Sequence, residues 1–147
     1  MGNSKKVVML IFMIFLFMLS ACSKKIEGKP PEAIVKINGE IMETEKGTYE
    51  WHTNGNSIIA DAASPYQIAE EMQVKVVEPN SAATIEFSNG TNPKLHAFIW
   101  TEQGRSEELA INGNKLTLPT EKRKYVIEII AEWPNGEASY TIVVEIK

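Results

Sequence analysis

"YVIEIIAEWPNGEASYTIVVEI" occupies residues 125–146, and the period of its apolar residues decides the fold. Tyr125, Ile127, Ile129 and Ala131 share one face of an extended chain, while Glu128 and Glu132 take the other. After the turn chemistry of Pro134-Asn135-Gly136, Tyr140, Ile142, Val144 and Ile146 alternate with Thr141, Val143 and Glu145. A period of two marks half-buried strands, and a Gly/Asn turn between two such runs closes them as an antiparallel hairpin.

The same period recurs upstream in shorter runs. Strands are predicted over Ala33 to Ile37, Thr48 to Trp51, Ser57 to Ala60, Gln73 to Val77, Ala83 to Phe87 and Leu95 to Thr101. A short pair, Leu109 to Ile111 and Lys115 to Leu118, is joined through Asn112-Gly113. Many short strands punctuated by Gly, Asn and Pro indicate a sandwich or barrel. "SPYQIAEEM" breaks the pattern. Ser64 suits an N-cap, Pro65 the first helical position and Gln67 the third, as a capping box requires, so a short helix is predicted near residues 64–72, packed across an end of the sandwich.

The chain before this body is of a different kind. "SKKIEGKPPE", Ser23 to Glu32, is charged, holds Gly28 and Pro30-Pro31, and reads as a tether that reaches roughly 30 Å at about 3.3 Å per residue. Lys24, Lys25 and Lys29 suit a surface of anionic lipid. Ahead of the tether, the basic start of Met1 to Lys6, the unbroken apolar run Val7 to Leu19 and the small residues Ser20-Ala21 have the order of a signal peptide. As a helix that apolar run rises only about 20 Å, against roughly 30 Å of hydrocarbon, so a permanent membrane span is the weaker reading. The expected organisation is a signal peptide over 1–21, a lipidated N-terminus and linker over 22–32, and a β-sandwich domain over 33–147.

Leu19-Ser20-Ala21-Cys22 resembles the bacterial lipobox, where lipoprotein precursors are modified and cut. The resemblance implies a diacylglyceryl group on the Cys22 sulfur and Cys22 as the first mature residue, anchoring the body to the extracytoplasmic face of the cell membrane. Stable attachment needs two lipid chains, which that group supplies. The alternative is a secreted protein cut at a small-residue site and left with a free thiol. N-myristoylation fails, since Lys6 stands where Ser or Thr is required.

Composition narrows the function further. Formal charge is -4, and loss of the leader would remove Lys5 and Lys6 but no acid, which argues against a nucleic-acid partner. With Cys22 the only cysteine in 147 residues, no intramolecular disulfide forms and the core alone must hold the fold.

The side chains that carry chemistry are few: His52, His96, Asp61 and scattered carboxylates. Ser64, Asp61 and either histidine make a triad only on paper, because no nucleophile-elbow pattern surrounds any serine. The histidines lack metal-ligand spacing, and the doublets Glu70-Glu71 and Glu107-Glu108 diverge from one another on a helix or strand. No catalytic residue, metal ligand or cofactor is therefore assigned. Of the aromatic residues most belong in a core. Trp100 and Trp133, followed by polar or turn-rich sequence, are the candidates for a binding surface together with Arg105 in the predicted exposed loop "TEQGRSEE".

"GTYEWHTNGNSIIADAASP" and "EWPNGEASYTIVVEI" resemble a domain of uncharacterised lipoproteins from Gram-positive, Bacillus-like bacteria and of related membrane sensors. Over residues 40–147 that resemblance implies an immunoglobulin-like antiparallel sandwich and lends no catalytic residue. The expected role is a non-catalytic binding or accessory module that meets the membrane through its lipid and recruits an envelope protein. The competing readings are an enzyme or metal handler without a motif, and a sensor-associated or inhibitory module.

Overall fold

The computed structural model describes residues 28–147; the expected signal peptide, Cys22 and most of the expected tether lie outside them. In chain order the elements are β1 (Ala33–Ile37), β2 (Glu40–Met42), β3 (Glu45–Thr53), β4 (Asn56–Ala60), α1 (Pro65–Ile68), β5 (Lys75–Val77), β6 (Ala82–Phe87), β7 (Lys94–Thr101), β8 (Gly104–Leu109), β9 (Ile111–Asn112), β10 (Lys115–Thr117), β11 (Lys124–Trp133) and β12 (Gly136–Ile146). They build an all-β, immunoglobulin-like sandwich. One sheet runs β2-β1-β6-β10-β9 and the other β4-β3-β12-β11-β7-β8. β5 lies parallel to the end of β12, beyond the stretch paired with β3, and makes the one parallel ladder among the described strands.

The hairpin of β11 and β12 forms the centre of the larger sheet, in the register its alternation requires: Ile127 faces Ile142 and Ile129 faces Tyr140. These side chains meet Val35, Ile37, Ile85 and Leu116 from the smaller sheet in one continuous core. An aromatic string closes one part of it, with Trp133 edge-on to both Trp51 and Phe87, and Phe87 tilted against Tyr140.

Several expectations change. "GRSEEL" is not a loop but β8, an edge strand that pairs only with β7; its one apolar residue, Leu109, leaves no alternation to read. Leu109 thereby belongs to the larger sheet, and the short pair in the smaller sheet is β9 with β10. β2 was also hidden, since three residues with one buried side chain, Met42, carry no period. Its turn is tight: Asn38 and Gly39 both hold positive φ, at 52° and 81°, as a two-residue hairpin demands.

The helix has its capping box, with the Gln67 amide donating to Ser64 Oγ and the Ser64 amide to Gln67 Oε1, each at 3.3 Å. It is shorter than predicted and sits elsewhere. Rather than crossing an end, it and the turn that follows lie on the outer face of the larger sheet. There Ala69 and Met72 pack with Val126, Val143 and Trp100. β11 is consequently buried on both faces, Glu128 included.

The tether also ends earlier than its composition suggests. Pro30 and Pro31 are buried, the Pro30 carbonyl accepts from Lys46 Nζ at 2.9 Å, and the Pro31 carbonyl accepts from the buried Tyr140 hydroxyl at 2.6 Å. Burial, with the Glu32 carboxylate adding to it, pushes the Tyr140 phenol well above its ordinary range. A raised folded-state pKa means the unfolded chain loses this proton first, so stability holds below about pH 10 and falls above it by about 1.4 kcal/mol per pH unit. Tyr140→Phe is expected to cost about 1 kcal/mol at neutral pH and to flatten that alkaline slope, as read from urea midpoints on either side of pH 10. An unchanged slope would assign the alkaline loss to other groups.

Candidate functional site

The outer face of the larger sheet carries polar residues that the helix leaves uncovered. Register puts Glu128 of β11 beside Thr141 of β12 and Phe98 of β7, two pairs along from Trp100 and Val126 and so on the same face. A bulge in the β7–β8 ladder between Ile99 and Trp100 brings Arg105 opposite Trp100. The result is a tight polar group on an otherwise packed surface.

Glu128 is its centre, only 4% exposed. Trp100 Nε1 donates to Oε2 at 2.6 Å, and Arg105 Nε donates to the same oxygen at 2.7 Å. The guanidinium stacks above the Phe98 ring, 4.8 Å from its centroid. The hydrogen bond to Glu128 raises the Arg105 pKa above its ordinary value, so the guanidinium stays charged. Two charge-assisted bonds on one buried oxygen fix the carboxylate's rotamer. Its other oxygen, Oε1, receives no donor, yet no sealed side-chain atom among the described residues lacks a partner, so Oε1 reaches solvent.

That solvent fills a groove of about 420 Å³. Glu128, Arg105 and Trp100 form one wall, Ala62 to Pro65 another, and Glu50 and Glu137 with Ile59 the rim. The hydroxyls along it are already engaged: Ser139 Oγ donates to the Thr48 carbonyl, Thr48 Oγ1 accepts from the Ala62 amide, and Ser64 caps the helix. What the groove offers a ligand is a fixed carboxylate oxygen, an aromatic edge, the outer nitrogens of a half-exposed arginine and apolar patches.

Among the predicted surface residues, Trp100 and Arg105 come together and Trp133 does not join them. Trp133 lies on the opposite face of β11, in the aromatic string, with its Nε1 donating to Thr91 Oγ1 at 2.8 Å. The residue missed in the sequence is Glu128, whose place on the polar face of the hairpin suggested solvent. The two histidines stay apart. His52 of β3 and His96 of β7 are three strands from each other in the sheet, which is roughly 14 Å or more. His52 pairs with Glu50, and His96 lies between Glu108 and Glu132 with Nδ1 2.9 Å from Glu108. Among the described residues no three His, Cys, Asp or Glu side chains gather as a metal would require.

No known protein family, curated protein or solved structure matches this chain. A rigid acceptor beside a partly free guanidinium and an indole suits recognition of a polar, hydrogen-bonding partner. Among the described residues no histidine lines the groove.

Proposed function

We propose that this is a lipid-anchored, extracytoplasmic accessory protein of the cell membrane that binds another envelope component through the groove on its larger sheet. The lipobox ending in Cys22 supports the placement. The binding role rests on one observation, the buried Glu128 carboxylate with one oxygen held by Trp100 and Arg105 and the other turned to the groove. Holding a polar group ready before the partner arrives lowers the ordering cost of association. With Pro30 and Pro31 docked, the tether is residues 23–29, reaching roughly 23 Å at about 3.3 Å each. That reach keeps the body near the headgroups.

Two arms test the proposal in a bacterium that processes lipoproteins. Metabolic labelling with an alkyne fatty acid is expected to mark the chain, and Cys22→Ala to lose the label and most of the membrane-bound fraction. A photoreactive residue at Glu137 on the groove rim is expected to capture a partner that the same residue at Lys36, on the opposite sheet, does not. Equal capture from both faces contradicts the groove; retained membrane label on Cys22→Ala contradicts the anchor.

A further inference from the structure

Apart from the groove, the least explained feature of the surface is the free edge of the larger sheet at β4. "NSIIA", Asn56–Ala60, carries no charge, and exposes Ile58 at 41% and Ile59 at 66%. Every other edge carries the usual protection against strand pairing. β8 presents Arg105, Glu107 and Glu108; β2 is three residues with Glu40, β5 is three with Lys75, and β9 is two residues long. β4 has none of these devices, and among the described residues nothing covers it.

The register shows which of its backbone groups are open. β4 is joined to β3 by the two-residue turn Asn54-Gly55, and Ser57 pairs with His52. The His52 amide donates to the Asn135 carbonyl at 2.8 Å, and its own carbonyl accepts from Asn135 Nδ2, so both groups point away from β4. Ser57 faces it across a non-hydrogen-bonded pair and must point its own N–H and C=O outward. Two residues on, Ile59 does the same opposite Glu50.

We propose that β4 pairs with β4 of a second copy of this chain, antiparallel, about a two-fold axis at Ile58, joining the larger sheets of two molecules into one. In that register Ser57 faces the partner's Ile59 and Ile59 the partner's Ser57. Every outward N–H and C=O of the two residues finds its complement, in four hydrogen bonds. Ile58 meets the partner's Ile58 at the axis, in the close non-hydrogen-bonded pair with Cα atoms about 4.5 Å apart. No other axis position on this short strand satisfies both residues. Charge does not oppose the contact: the nearest acids on the same face, Glu50 and its counterpart, are separated by three strand spacings, roughly 14 Å, beyond the Debye length of about 8 Å at physiological salt. A second copy is thus a partner that needs no further feature, since a two-fold interface asks only that one patch complement itself.

Site-specific disulfide trapping tests this on the full-length chain in neutral detergent, with Cys22→Ser in the background so that one thiol is present at a time. Ile58→Cys is expected to form a covalent dimer on mild oxidation. Ser57→Cys and Ile59→Cys are each expected to stay monomeric alone and to link to each other when mixed, because like positions there sit about 7–8 Å apart and unlike ones face each other. Without oxidant, Ile58→Lys is expected to weaken self-association about tenfold by sedimentation, with an unchanged circular dichroism spectrum. The proposal is overturned if folded Ile58→Cys stays monomeric, if Ser57→Cys links to itself as fast as Ile58→Cys does, or if Ile58→Lys associates as the parent does. A disulfide formed only with a different protein likewise overturns it.

Discussion

Arg105→Ala is expected to destabilise the fold by about 3 kcal/mol, far more than a surface arginine would. An exposed ion pair is worth about 0–1 kcal/mol, because water screens it and two long side chains must be held still. Here one partner is exposed and the other is not: the Arg105 side chain is 48% accessible and that of Glu128 6%. Removing the arginine leaves a carboxylate inside the outer-face packing with only the Trp100 N–H to hold it. Breaking a buried pair from one side costs about 3–5 kcal/mol, and the water that reaches Oε1 places this case at the low end. The sign of the second substitution separates this account from lost packing. Glu128→Gln keeps an acceptor for Trp100 but carries no charge, so in the Arg105→Ala background it is expected to restore about 2 kcal/mol, whereas in the parent it costs stability. Urea denaturation of the four chains measures the coupling. Additive losses would mean that the carboxylate and the guanidinium do not depend on each other.

Gly136→Ala is expected to be comparably damaging, by about 3 kcal/mol, for a reason of space. A Cβ built there lies 2.3 Å from the Glu50 carbonyl oxygen, 2.7 Å from Trp51 Cε3 and 3.0 Å from Trp51 Cα. Two of these are backbone atoms of the neighbouring strand, and the third belongs to an indole only 4% exposed and wedged against Trp133. None can give way without parting β3 from β12 at the start of their ladder. Overpacking of this kind costs about 1–3 kcal/mol, and rigid neighbours put it at the upper limit. Gly28→Ala, which meets nothing within 4 Å, is the control and is expected to cost under about 0.5 kcal/mol. A Gly136→Ala chain with the parent's urea midpoint would show that the two strands separate cheaply.

Gly136 also shows how far the residues alone lead. As part of Pro-Asn-Gly it announces a turn, and the turn is there. The role that makes it costly to replace, the approach of β3, depends on a strand nearly ninety positions upstream and cannot be read locally. The hairpin was legible because each of its strands keeps a strict period over many residues. Strands β2 and β8 were not, since one is too short for a period and the other sits at an edge where polar residues are tolerated on both faces. The same limit explains the site. Trp100 and Arg105 drew attention as an aromatic and a cation in polar surroundings, and they do meet. Glu128 looked like an ordinary solvent-facing position on the hairpin, and it became buried because residues 62–72 fold over that face. Trp133 erred the other way: its turn-side position suggested exposure, but its parity with Ile129 and Ala131 had already placed it on the core face.

The described body, residues 28–147, is complete enough to hold a groove and an unprotected strand edge, and the proposed role depends on where that body is kept. The measurement that bears on this most directly is the intact mass of the mature chain extracted from membranes, with its first residue sequenced from fragments. The account predicts a chain that begins at Cys22 and carries a diacylglyceryl thioether on that sulfur. A mature chain that retains residues 1–21, or that presents an unmodified Cys22 thiol, contradicts it.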